Sequence, residues 1–131
     1  MAVADRNGLP LAVGIACGQR HEAPLAKATV EARFTEELPE RVIGDKAYDS
    51  DKLDAEMAEL GIDMIAPHHP NRRHKTQDGR KLRRYRRRWK VERLFAWMLR
   101  FRRLVTRYES KAQNFLGFVH LACLAIYLRQ F

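Results

Sequence analysis

Residues 72–107 hold 16 lysines and arginines against two acids, Asp78 and Glu92, a net charge of +14. This one segment supplies more positive charge than the whole chain shows. Residues 1–71 carry −6 and residues 108–131 carry +1, which brings the 131-residue chain to +9. That length allows one domain, and an apolar fraction of 46% is that of a folded protein. Positive charge of this density marks a polyanion-binding surface, with nucleic acid the first candidate. The plainer reading is a solvated helix face that only aids solubility.

Other classes are excluded more directly. Cys17 and Cys123 stand far apart with no C-x-x-C, which argues against a disulfide framework or a cysteine zinc site and suits a reducing compartment. Residues 1–20 lack the charged start and apolar core of a signal peptide. The longest apolar stretch, 115–128, is too short to span a bilayer and contains His120.

The order of patterns is strand, strand, helix, strand, helix, strand, helix, helix, a mixed α/β domain. Residues 2–18 read as a hairpin around Asn7-Gly8, residues that tolerate positive φ. Helical spacing over 22–38 starts near Pro24 and ends at Pro39. Residues 41–45 are a short strand, with Ser50 or Asp51 a cap for a helix over 52–60 that closes at Gly61. A further strand spans 62–66, and 67–79 is a basic loop. A long helix is predicted from about 80 to 103. The last, 111–128, is apolar on most of its circumference and expected in the core, with Cys17 and Cys123 as small core residues.

Two acids stand out. Asp45 ends an apolar strand, where α/β sheets direct side chains into ligand crevices; its alternative is a turn cap. Glu92 is the one acid in the middle of the basic helix. At helical spacing it shares a face with Tyr85, Arg88, Trp89 and Ala96, whereas Val91, Leu94, Phe95, Met98 and Phe101 look like core. Its alternative is an i,i+4 ion pair with Arg88, worth about 0.3–0.5 kcal/mol. Two carboxylates from different elements can hold Mg²⁺ between them and phosphate oxygens.

These residues carry a resemblance. Val42-Ile43-Gly44-Asp45-Lys46-Ala47-Tyr48-Asp49-Ser50 resembles the motif around the second aspartate of DDE-type insertion-sequence transposases. Tyr85-x-x-Arg88-x-x-x-Glu92 matches the Y-x-x-R-x-x-x-E signature around their catalytic glutamate, and the run from Trp89 to Trp97 with Arg100–Leu104 and Arg107–Glu109 is similar too. The resemblance implies an RNase H-like fold, a mixed sheet flanked by helices. It implies three carboxylates binding two divalent metals (Mg²⁺ or Mn²⁺), cutting of transposon ends, and joining of 3′-hydroxyls to target DNA. Asp45 and Glu92 map to the second and third acids, as catalytic residues and metal ligands. Leu99 stands where the signature has lysine.

The first acid has no counterpart, since the hairpin opens at residue 2 and Asp5 sits in its turn. The expectation is a single partial catalytic domain lacking the first strand. Residues 1–71 form an α/β body with the second acid. Residues 72–107 form a basic loop and long helix with the catalytic Glu, and 108–131 a packing helix. Arg72, Arg73, Lys75, Arg83, Arg84, Tyr85, Arg86, Arg87, Arg88, Lys90 and Arg93 are the candidate DNA-binding residues. Expected partners are DNA, at transposon ends and target, an upstream half of the transposase, and further copies in an active oligomer, with no membrane. The expected location is cytoplasmic and nucleoid-associated in a prokaryote. The chain alone is expected to be inactive. The rival is a non-catalytic basic DNA- or RNA-binding module or a decayed remnant. His68, His69 and His74 fit no common zinc spacing and read as phosphate-contacting or exposed loop residues. Trp89 is open to base stacking or packing, and Trp97 reads as core.

Overall fold

The computed structural model describes residues 1–19, 21–73 and 82–130. The hairpin forms as expected: β1 (Ala2–Ala4) pairs antiparallel with β2 (Pro10–Val13). Of its two turn residues only Gly8 takes a positive φ, +81°. Asp5 organises the turn, its Oδ1 accepting from the backbone N–H groups of Asn7 at 2.7 Å and Leu9 at 2.8 Å. The first helix, α1 (Ala23–Glu31), has Pro24 in its first turn but stops well short of Pro39. Past its end Arg33 bridges to Ala12 of β2, and its guanidinium donates to the Glu36 carbonyl at 2.6 Å.

After β3 (Arg41–Ile43) the chain makes a 3₁₀ turn, Lys46–Tyr48, and enters α2 (Asp51–Glu59). Ser50, rather than Asp51, is the cap, its hydroxyl accepting from the Leu53 N–H at 3.4 Å. Gly61, at φ +75°, turns the chain into β4 (Asp63–Ile65), which runs parallel to β3.

The long basic helix differs from expectation. Residues 80 and 81 lie outside the described residues; the remainder divides into a 3₁₀ turn, Arg83–Arg87, then α3 (Trp89–Met98) and a short α4 (Arg102–Val105). Arginines at 83, 84, 86, 87 and 88 would stack like charges at i,i+3 and i,i+4 in a regular helix, which disfavours one there. The last helix, α5 (Ala112–Leu128), matches its predicted span. It buries one stripe, Val119, Ala122, Cys123 and Ile126, while Leu121, Leu124 and Leu128 are exposed. Cys17 is exposed too, so only Cys123 is the core cysteine expected.

The strands form two separate two-stranded sheets, β1-β2 and β3-β4. The core has two clusters, and the hairpin touches both, Met1 and Val3 packing on the first and Ala2 and Ala4 on the second. Ala26, Val30, Leu53, Met57, Ile62, Met64 and Ala66 pack around β3-β4 with α1 and α2. Val13, Leu94, Met98, Val119, Cys123 and Ile126 pack around β1-β2 with α3 and α5.

A polar latch fixes the start of the basic loop. The Asp49 side chain is 3% exposed. Its carboxylate accepts from the His69 N–H at 2.6 Å, meets His68 Nδ1 at 2.9 Å and takes a charged hydrogen bond from Arg72. Arg72 also bonds Asp51 at the start of α2. Thus His68 is a built-in partner of an acid, not an exposed loop residue. Burial pushes the Asp49 pKa up, but the His69 and His68 hydrogen bonds and the Arg72 charge outweigh it and hold the carboxyl below its ordinary value.

Two stability predictions follow from these contacts. Leu94 is fully buried and Phe95 is 44% exposed. Leu94→Ala is expected to cost about 2–5 kcal/mol in urea unfolding, and Phe95→Ala less than about 1 kcal/mol. Asp49 has a lower pKa folded than unfolded, so its contribution is present above the ordinary carboxylate pKa and fades as pH falls through the folded value. Asp49→Asn is therefore expected to destabilise by about 1–3 kcal/mol at neutral pH, with the gap to wild type closing below about pH 4.

Candidate catalytic and nucleic-acid site

A cleft of about 700 Å³ opens between the two sheets. Residues of β1, β3, α1 and α3 line it, and both Asp45 and Glu92 reach it. The two acids singled out in the sequence are thus brought to one cavity, from the end of a strand and from the first turn of a helix.

Asp45 is held by the chain around it. Its Oδ1 accepts from the Ala47 N–H at 2.8 Å, so it does act as a turn cap. One carboxylate oxygen is used that way, and its other oxygen makes no hydrogen bond among the described residues. Gly44, just before it, is buried, and a Cβ there would come within 2.8 Å of Met64 and of the Tyr48 ring. Any side chain at 44 would displace the floor on which Asp45 stands. The Tyr48 hydroxyl donates to Glu22 at 2.7 Å. Burial first, then that hydrogen bond and the charges of Glu22 and Asp45, push the phenol far above its usual pKa, so it stays a neutral donor. Gly44, Tyr48 and Asp49 were legible only as letters of the motif; their parts depend on contacts with β4, α1 and the 67–73 loop.

Glu92 is 59% exposed and pairs with Arg88 at 2.9 Å, the i,i+4 contact weighed from sequence. Arg84, Arg87, Arg88 and Lys90 line the same cleft. A carboxylate beside a wall of cations repels a bare phosphodiester less than a naked acid would, while keeping oxygen ligands for a hard cation. Mg²⁺ takes one or two carboxylates together with phosphate oxygens, and the donor set here fits that use. Among the described residues no three His, Cys, Asp or Glu side chains gather where they could hold a metal ion.

The candidate DNA-binding residues divide by what holds them. Arg73, Arg83, Arg84, Arg86 and Arg87 are exposed. Tyr85 is half-buried with the Arg88 guanidinium 5.4 Å from its ring centre. Besides Arg88 on Glu92, three cations are engaged within the fold: Arg72 in the latch, Lys90 on the Arg6 carbonyl, and Arg93 on the Asn7 carbonyl. Arg93 also lies 4.9 Å from the ring centres of both Trp89 and Trp97. Trp97 is accordingly half-buried under a guanidinium, and Trp89 is half-exposed at the same stack. Lys75 and His74 lie outside the described residues.

Known proteins resemble this chain over nearly its whole length. Residues 1–128 match the family model described as a transposase DDE domain. A Brucella ovis protein named as a transposase for insertion sequence element IS6501 is 34% identical over 128 residues, covering 98% of this chain and 95% of the relative. A Burkholderia cepacia protein named as a transposase for insertion sequence element IS402 is 31% identical over 132 residues, covering 95% of this chain but only 59% of the relative. No solved structure matches. No helix among the described residues is long and apolar enough to cross a membrane. With the strand-end acid, the helix glutamate and the flanking arginines in one cleft, and a family match over nearly its whole length, the chain belongs to the DDE transposase family of insertion sequences.

Proposed function

We propose that this chain is the part of an insertion-sequence transposase that supplies two metal-binding carboxylates, Asp45 and Glu92, to the cutting of transposon ends and the joining of 3′-hydroxyls to target DNA. The observation that carries this reading is their convergence on one cleft whose rim bears Arg84, Arg87, Arg88 and Lys90. Two divalent cations, Mg²⁺ or Mn²⁺, would polarise the scissile phosphate and stabilise the oxygen that leaves. Asp45 would hold its share through the oxygen not used in the turn, and Glu92 by exchanging Arg88 for the cation. Arg88, once released, faces a phosphate. The reading includes an RNase H-like arrangement that is incomplete without a third acid, so the chain by itself binds DNA and does not cut it; an active particle would join an upstream half and several copies in the nucleoid.

Backbone contacts by arginines give affinity with little sequence reading. The rival is a DNA- or RNA-binding module without catalysis, favoured by the two internal partners of the acids, Ala47 N–H for Asp45 and Arg88 for Glu92.

Two measurements separate the readings. In filter binding, affinity for duplex DNA is expected to fall about tenfold per doubling of salt if four phosphates are neutralised, and Arg84→Ala or Arg87→Ala each to lower the slope by about 0.9; a flat response removes the cationic interface. With DNA bound, Mn²⁺ followed by electron paramagnetic resonance is expected to bind, and Asp45→Ala and Glu92→Ala each to weaken it about tenfold or more. Unchanged Mn²⁺ binding in both variants leaves the non-catalytic module. Strong Mn²⁺-dependent nicking by the chain alone, lost in both variants, overturns the claim that a carboxylate is missing.

A further inference from the structure

Besides the stripe it buries, α5 carries a second apolar line that faces water. Leu121, Leu124 and Leu128 are 60%, 54% and 68% exposed, and exposed Asn114 and Gly117 continue the line toward the start of the helix. The positions 114, 117, 121, 124 and 128 alternate steps of three and four, the seam of a two-stranded coiled coil. A Cβ on Gly117 would meet no atom within 4 Å, so the seam is open there too.

The two flanks of this seam differ. On one side His120 meets the Phe34 ring edge-on, with centroids 5.5 Å apart. Phe34 is 42% exposed, and the acids that follow it, Glu36 and Glu37, are exposed as well. Arg33 gathers them into one loop by donating to both of their carbonyls. This flank is an aromatic knob beside two carboxylates. On the other side lies a pocket of about 220 Å³, lined by Phe101, Leu104, Phe118 and Leu121 together with Arg102 and Arg103. The Arg103 guanidinium sits 5.2 Å from the Phe118 ring centre. This flank is an apolar hole beside two cations. At 3.6 residues per turn, His120 and Phe118 fall about 80° to either side of the seam and within one turn of each other. Knob and hole therefore stand at the same level of α5.

From this face we infer that a second copy of the chain docks on α5, the two helices running parallel about a two-fold axis, with Phe34 of each copy in the pocket of the other. A two-fold axis along the helices sets each flank against the opposite flank of the other copy. Ring then meets pocket, and Glu36 and Glu37 meet Arg102 and Arg103. An antiparallel pair would set like flanks together, cation against cation. In register, Leu121, Leu124 and Leu128 each meet their own copies. Asn114 also meets its own copy, and a single polar residue in such a seam fixes register. The face shares no lining residue with the cleft that holds Asp45 and Glu92, so pairing leaves that cleft open. The contact deepens the proposed function by giving its several copies a surface, and rests on that reading only for the part those copies play.

The test uses the full chain, nuclease-treated and free of DNA and metal, in sedimentation velocity from about 1 to 100 μM. The expected result is a monomer giving way to a dimer; a monomer throughout overturns the inference. Leu124→Glu sets two like charges on the axis and is expected to weaken the dimer about tenfold or more, and Phe34→Ala, which empties the pocket, about tenfold. A dimer unmoved by both overturns the inference. These side chains are exposed, so folding is expected to survive, as circular dichroism checks; if Leu124→Glu does not fold, Phe34→Ala carries the comparison. Direction is read by cross-linking with oxidised glutathione after Cys17→Ser removes the exposed thiol. Leu121→Cys and Leu128→Cys are each expected to join to their own copies. Joining only of one variant to the other marks an antiparallel pair and overturns the inference. A monomer that still binds DNA and Mn²⁺ leaves the roles of Asp45 and Glu92 standing, and a dimer whose Mn²⁺ binding ignores both acids leaves the α5 contact standing.

Discussion

The position of Glu92 depends on its neighbour. Arg93 reaches from α3 to the Asn7 carbonyl in the hairpin turn, with its guanidinium close to the faces of two indoles. The turn admits it because residue 8 is glycine: a Cβ at that position would lie 2.6 Å from the Arg93 guanidinium. Lys90 adds a second tether to the same turn through Arg6. Cations at i and i+3 of one helix thus lock α3 against the hairpin and set the backbone position from which Glu92 projects. The acid in the middle of the basic helix is carried on a backbone held by two of the bases around it. Cation–π contacts of this kind contribute on the order of 0.5–2 kcal/mol each, more as water is excluded.

The same logic governs the opposite wall. Asp45 is fixed by the turn it caps, by a glycine before it, and by Tyr48 pressed against Met64 and tied to Glu22. Several other acids of the 1–71 body act as fasteners as well: Asp5 in the hairpin, Asp49 and Asp51 on Arg72, Glu22 on Tyr48. The negative body and positive segment are complementary in charge, and contacts such as Arg72 with Asp49 are where that complementarity becomes structure.

Much of this was legible in the letters. Asn7-Gly8, Pro24, Ser50 and Gly61 are local signals, and each marks the feature it names because backbone freedom and capping act within a few residues. Asp45 and Glu92 were legible through their motifs. Helix lengths were not: apolar spacing continues past Glu31 and the basic run lacks Gly and Pro, yet like-charge crowding over 83–88 and the Arg33 bridge to β2 interrupt both. The fate of individual cations was also invisible. Arg72 and Arg93 look like any other arginine in a basic tract, and only the fold shows that one braces a loop and the other a turn. The α5 pattern misled for a related reason, since a helix apolar all round gives no clue to which stripe a small domain covers.

The first backbone bond of the hairpin has a consequence for longer forms of the chain. The Met1 ammonium donates to the Gly14 carbonyl at 2.8 Å, and an ammonium has three hydrogens where the bond uses one. A peptide N–H at the same position would supply that hydrogen equally well. A peptide bond at residue 1 would therefore keep this rung of the ladder while removing a positive charge at the mouth of the cleft.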